Sequence, residues 1–316
     1  MRSRQGPFRI STPPWALNAW GSGRSARWPC SSSMPGRMRP MSWREKSPVW
    51  RSPLPPALKR LGQNFLIDPN IIRKIVSLAA LGPEDTVLEI GPGRGALTAG
   101  LCAEAGRVIA VEIDPQLQPH LQESLGHCRN LDLRIGDALA FPFETLPLRT
   151  VVVANLPYYV STPILFALLD ARARLDRLVL MLQTEVALRL AAKPNSEDYG
   201  VLSVLTQEAA EVELAFRVSA NCFRPRPTVG SAVVHLRINT QEGFEPVRHE
   251  RFRRLVRASF AHRRKTLVNS LRDEGYPSEQ IARATAEAGV PPQARAEMLT
   301  LDDYRTLARA FDRDPV

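Results

Sequence analysis

The feature that most constrains this chain is a rhythm. Short runs of Val, Ile and Leu each stop on a glycine turn or a polar residue and are followed by a helical segment. TVLEI at 86–90 leads into GPGRGALT, RVIAVEID at 107–114 ends on acids, and LDLRIGDA at 131–138 ends on Gly136-Asp137. TVVVANLPYY at 150–159 turns at Asn155, and RLVLMLQ follows at 177–183. Runs this short and this rich in Val and Ile read as strands covered on both faces, as in a parallel sheet. Asp68-Pro69 before NIIRKIVSLAA reads as a capped helix with Pro in its first turn. Strands alternating with helices predict an α/β, doubly wound, Rossmann-like sheet. VELAFRV and SAVVHLRI, on either side of a Pro-rich loop, are expected to pair antiparallel. Beyond about residue 241 only helical patterns remain, which predicts a smaller C-terminal all-helical domain over 241–316.

Charge is concentrated at one end. The chain carries +10 overall, yet residues 1–57 alone hold nine Arg and one Lys against Glu45, with all five Trp. The high pI therefore belongs to this segment, which shows no periodicity and is rich in Arg, Ser, Pro and Gly. It reads as a disordered or spurious basic leader. An organelle transit peptide is the other reading, weakened by its many prolines. No apolar run is long enough to cross a bilayer, so no membrane is expected as a partner. Cys30, Cys102, Cys128 and Cys222 have no metal-ligand spacing. No metal site is expected, and reduced thiols fit a cytoplasmic protein.

In a doubly wound sheet the ligand lies outside the carboxyl ends of the strands. Four strand tips here carry glycines or polar groups. Gly91, Gly93 and Gly95 permit a tight turn and close approach of backbone to a ligand. Glu112, at the second strand tip, is placed to accept both hydroxyls of a ribose. Asp137 and its neighbour Ala138 are placed at an adenine, and Asp137 would accept a hydrogen bond from its amino group. Either acid alone is better explained as a loop charge or cap; together they indicate an adenosine-bearing cofactor. NAD would require G-x-G-x-x-G facing a pyrophosphate. The spacing here is G-x-G-x-G among acids, which suits S-adenosyl-L-methionine, a sulfonium without phosphate.

Asn155-Leu-Pro-Tyr158, at the fourth tip, is of the type found in amino-group methyltransferases. The exocyclic amine of adenine is a weak nucleophile because its lone pair is delocalised. The Asn155 side-chain oxygen and the Leu156 carbonyl, held by rigid Pro157, could accept from both N–H groups and localise that pair. Tyr158 would stack on an everted base. Without that chemistry, the tetrapeptide is a strand ending in an Asn-containing turn.

With these motifs in place, residues 58–316 resemble the small-subunit ribosomal RNA adenine N6,N6-dimethyltransferases. The resemblance runs through LGQNFLIDPNII at 61–72, VLEIGPGRGALT at 87–98, VEID at 111–114, GDAL at 136–139 and NLPYYVSTPILFALL at 155–169. It continues through MLQTEVALRLAAKPNSEDYGVLSVLTQ at 181–207, CFRPRPTVGSAVV at 222–234, RASFAHRRKTLVNSL at 257–271 and PPQARAE at 291–297. It implies a class I methyltransferase sheet over 58–240, with Asn64 and Leu66 at the methionine part of the cofactor. Gly91 would lie beneath the cofactor and Asn155 near the sulfonium. It also implies that Phe223 stacks on the target base opposite Tyr158, with Glu89 acting from behind. The implied product is a pair of adjacent dimethyladenosines in the 3′-terminal hairpin of small-subunit rRNA. Tyr159, Thr228 and Gly230 depart from the pattern, where the family usually has Asn, Lys and Asp.

Arg251, Arg253, Arg254 and Arg257, then Arg263, Arg264 and Lys265, form a dense basic stretch. A solvated helix face is the ordinary explanation for such a run. Beside an RNA-modifying site, Arg254, Arg257, Arg263, Arg264 and Lys265 are expected to contact RNA phosphates of the 30S ribosomal particle. The protein is expected to act as a monomer. Three rival functions are a large-subunit adenine dimethyltransferase of the macrolide-resistance type, a non-catalytic RNA-binding assembly factor, and an NAD-dependent dehydrogenase.

Overall fold

The structure is a computed structural model that describes residues 56–58, 61–239 and 246–312. The expected leader at 1–57 lies, but for its last two residues, outside them. Strand β1 (Phe65–Leu66) leads into helix α1 (Pro69–Ala79). The Asp68 carboxylate caps that helix, accepting from the Asn70 amide at 2.8 Å and the Ile71 amide at 3.3 Å, a cap worth about 1 kcal/mol. The five apolar runs become β2 (Thr86–Ile90), β3 (Arg107–Glu112), β4 (Leu131–Ile135), β5 (Thr150–Asn155) and β6 (Leu175–Gln183), mutually parallel. Between them run α2 (Thr98–Glu104), α3 (Gln118–Leu125) and α4 (Ser161–Asp170). After β3 the helix does not begin at Pro115 but at Gln118. Residues 115–117 make a tighter turn, capped by Asp114 through the Gln116 amide at 3.0 Å.

After α5 (Thr184–Ala191) and α6 (Val201–Ala209), β7 (Ala210–Val218), the short β8 (Phe223–Arg224) and β9 (Ser231–Ile238) follow. The sheet order is β4-β3-β2-β5-β6-β9-β7, with β9 antiparallel to both neighbours. β8 leaves this sheet and pairs with β1. The continuous apolar runs are explained by burial on both faces. Val151 and Val153 enter the layer under α1 and α2, while Val152 and Ala154 enter the layer under α4 and α5.

The C-terminal helices are α7 (Pro246–Phe260), α8 (Leu267–Asp273), α9 (Ser278–Glu287) and α10 (Leu301–Asp312). Leu255, Val256, Leu271, Ile281, Tyr304 and Leu307 form their core, which Val204 and Leu205 of α6 also enter. A charge cluster ties α7 to the sheet unit. Arg172 reaches Glu208 at 3.5 Å, and Arg253 reaches Asp170 at 2.7 Å. Burial, with Arg172 and Arg253 beside it, lowers the His249 pKa to about 4, so the ring is neutral at pH 7. Arg172→Ala leaves Glu208 short of its cation, and stability is expected to fall by roughly 1–3 kcal/mol. An unchanged urea midpoint would refute this. Among the described residues, no helix is long and apolar enough to cross a membrane.

Candidate active site

The strand order reverses between β2 and β5, and the crevice at their carboxyl ends is where such folds bind ligands. It opens here between the glycine turn after β2 and the Asn155–Tyr158 turn after β5, with Glu112 and Ile113 on one side. Gly91 and Gly93 have φ of +71° and +58°, which disfavours any side chain. A Cβ on Gly93 would also stand 3.0 Å from the Phe65 ring.

That ring belongs to a strap, residues 61–66, laid across the crevice. Side-chain contacts from the sheet unit hold it. The Gln63 amide donates to Asp114 Oδ2 at 2.9 Å, and the Asn155 Nδ2 donates to the Asn64 carbonyl at 3.1 Å. The Arg94 guanidinium lies over the Phe65 ring, 4.3 Å from its centroid.

Glu112 is 3 % exposed and accepts from the Gly93 and Asp114 amides, each at 2.9 Å. Burial raises its pKa, with the two amides opposing. A carboxylate has four acceptor positions, so these amides leave it capacity for a ligand. Glu89 lies on the same face of the sheet, fully enclosed, and its Oε2 has no hydrogen-bond partner. Burial, with the Glu112 charge adding, pushes its pKa up to about 8. The native state thus holds a proton that the unfolded chain releases near pH 4.5. Stability should therefore fall as pH rises from about 4.5 to 8, by at most about 1.4 kcal/mol per unit. Glu89→Gln should flatten that slope in urea melts between pH 5 and 8; an unaltered slope would count against a protonated Glu89.

At the other wall, the Tyr158 hydroxyl lies 2.6 Å from Ser231 Oγ at the start of β9. The Leu156 amide donates to the Met181 carbonyl at 3.2 Å. Asn64, Gly91, Gly93, Glu112, Asn155, Leu156, Pro157 and Tyr158 all line the one crevice. Leu66 does not: its side chain is buried in the core under α1. Asp137 lies beyond the lining, where it accepts from the Leu139 amide at 2.9 Å, and Ala138 is buried beside it.

Phe223 requires a correction. Its side chain is 0 % exposed, packed with Leu66, Val218 and Val233, because β8 pairs Phe223 with Leu66. A ring enclosed in this way offers no face to a base. Arg254 and Arg257 are exposed on α7, whereas Arg263, Arg264 and Lys265 are exposed in the turn between α7 and α8. Lys265 is paired with Asp273. Gln63, Phe65 and Ile113 were not anticipated as site residues. Gln63 gave no signal because its partner is 51 positions away.

The family model described as "Ribosomal RNA adenine dimethylase" matches residues 57–313. The Ribosomal RNA small subunit methyltransferase A of Moorella thermoacetica is 44% identical over 264 residues, covering 80% of this chain and 92% of that one. The protein of the same name from Geobacter metallireducens is 42% identical, covering 81% and 95%. Among solved structures, a dimethyladenosine transferase from Plasmodium falciparum superposes with TM-score 0.69 at 26% identity, over 79% of this chain and 98% of that one. The 23S rRNA methyltransferase ErmE gives 0.63 at 30% identity, over 79% and 100%. With that match running from the strap to the last described helix, the chain belongs to the ribosomal RNA adenine dimethylase family.

Proposed function

We infer that this protein transfers methyl groups from S-adenosylmethionine to the N6 amines of two adjacent adenosines in the 3′-terminal hairpin of small-subunit rRNA. It does so as a cytoplasmic monomer, during assembly of the 30S particle. The observation that carries the reading is the Asn155 amide. Its Nδ2 is engaged by the Asn64 carbonyl at 3.1 Å, which leaves Oδ1, on the opposite side of the group, as the acceptor.

The crevice suits the cofactor. Beside apolar and aromatic side chains, its polar lining is glycine backbone, side-chain amides and a carboxylate, a set that suits a cationic ligand with a ribose and no phosphate. Glu112 accepts from the ribose hydroxyls, and Asp137 accepts from the adenine amine. Ile113 and Leu139, 40% and 45% exposed beside these acids, flank the ring. Asn64 faces the amino-acid end. When bound, the cofactor supplies an electrophilic methyl group on sulfur.

The target base enters against Tyr158, whose hydroxyl is fixed by Ser231. Asn155 Oδ1 and the Leu156 carbonyl accept from its two N–H groups and concentrate the lone pair on nitrogen. The remaining requirement is alignment, which bound and rigid groups supply. In this arrangement Tyr158 provides the stack without Phe223.

ErmE, named for 23S rRNA, favours a large-subunit target as second reading. The higher identity to proteins named for the small subunit favours the first. Undermethylated 30S and 50S particles incubated with labelled cofactor distinguish the two. Nucleoside mass spectrometry should find labelled dimethyladenosine in 30S RNA; label confined to 50S RNA would overturn the assignment.

The exposed Arg254, Arg257, Arg263, Arg264 and Lys265 contact phosphates. Charge reversal at Arg263 and Arg264 should weaken RNA binding and flatten its salt dependence while sparing cofactor affinity. An unchanged salt titration would remove these residues from the interface.

A further inference from the structure

We propose that the helical unit carries a second nucleic-acid site, a pocket between α7, α9 and α10 that takes one unstacked base of the RNA. The proposal rests on the RNA-methylation reading above and adds a contact remote from the reacting base. The pocket has a volume of about 190 Å3 and shares no residue with the crevice.

Its chemistry is that of a nucleotide. Tyr276 and Phe311 meet edge to face, with centroids 5.1 Å apart, and form an aromatic wall. The Arg254 guanidinium lies 5.8 Å from the Tyr276 centroid, placing a cation beside that wall. Gly275 leaves the floor open: its φ is +87°, and nothing lies within 4 Å of where a Cβ would stand. Gln280 and Asp312 border the pocket, and Arg251 holds Asp312 at 3.2 Å. An amide and a carboxylate at the rim offer donors and acceptors to a base edge.

Arg251, Arg254 and Arg257 are all exposed and recur every third residue along α7. They form a cationic track past the pocket mouth. A phosphate alone would need the track but not the aromatic wall. An apolar protein side chain would need the wall but not the track. A flat base on a charged backbone uses both, the combination by which proteins hold single-stranded nucleic acid.

The test measures affinity for a protein-free RNA hairpin carrying the small subunit's 3′-terminal sequence, across a salt series. Tyr276→Leu keeps bulk and removes the aromatic face. It should weaken binding about tenfold at every salt concentration, because stacking releases no counterions. Arg254→Ala should weaken binding and lower the salt slope by about one. Gln280→Trp fills the mouth from a half-buried helix position and should reproduce the Tyr276→Leu loss if that variant melts early. Wild-type affinity in Gln280→Trp and in a folded Tyr276→Leu overturns the proposal. So does a loss seen with assembled 30S particles but not with free RNA, which would assign the pocket to a ribosomal protein. If wild-type enzyme methylates 30S RNA and the Arg263/Arg264 reversal weakens binding while the pocket variants do not, the pocket claim fails and the methylation reading stands.

Discussion

Asn155→Ala is expected to lower the rate of methyl transfer by a factor on the order of 10²–10³, the usual cost of removing one preorganised polar contact to the reacting group. The size of the effect follows from the two ends of one amide. In the proposed arrangement its oxygen localises the amine lone pair, while its nitrogen holds the strap through the Asn64 carbonyl at 3.1 Å. Asn155→Asp separates the two roles. It keeps an acceptor but sets a carboxylate against a carbonyl, so cofactor affinity should suffer while part of the turnover survives at saturating cofactor. Single-turnover rates with saturating cofactor, beside calorimetric titration of cofactor binding, read both. A near-normal single-turnover rate for Asn155→Ala would exclude Asn155 from the chemistry.

The second large effect is expected at Glu112. Hydrogen bonds to a charged group are worth about 1.5–3 kcal/mol each, and in the proposed arrangement two ribose hydroxyls depend on this carboxylate. Glu112→Ala should therefore weaken S-adenosylmethionine binding by about 10²-fold or more. Glu112→Gln retains one acceptor oxygen and should lose less. Since Glu112 also anchors the Gly93 and Asp114 amides at 2.9 Å, thermal melts of both variants distinguish a lost ligand contact from a collapsed turn. Burial raises the pKa of this carboxyl. Acidification should therefore weaken cofactor binding at a higher pH than for an ordinary carboxylate. Equal affinity in Glu112→Ala and the wild type would defeat the proposed ribose contact.

What the sequence revealed and what it concealed divide along physical lines. The strand tips were legible because an apolar run must end where backbone meets solvent, and in this architecture those ends converge. Gly91, Glu112 and Asn155 could thus be named together from three separate segments. The strap was legible only as a motif. Its contacts, Gln63 to Asp114 and Phe65 to Gly93, join residues whose proximity depends on the finished sheet. Phe223 was misjudged for a related reason: nothing local distinguishes an aromatic facing a cleft from one paired into a two-residue strand beneath it. The break between α7 and α8 was likewise hidden. RASFAHRRKTLVNSL keeps a helical pattern through the turn at 261–266, and only Thr266, which caps α8 through the Asn269 amide at 3.4 Å, marks the restart.

The pairing of β1 with β8 has a consequence for how the molecule comes into being. Phe65 lies opposite Arg224, a partner about 160 residues further along, and contacts of such long range form slowly. During synthesis the segment that roofs the crevice emerges early but finds its mate only once nearly all of the sheet has been made. The nascent protein therefore lacks this pairing beside its glycine turn while about 130 further residues, from Gly95 to Arg224, are added, and the crevice is complete only after β8 has emerged.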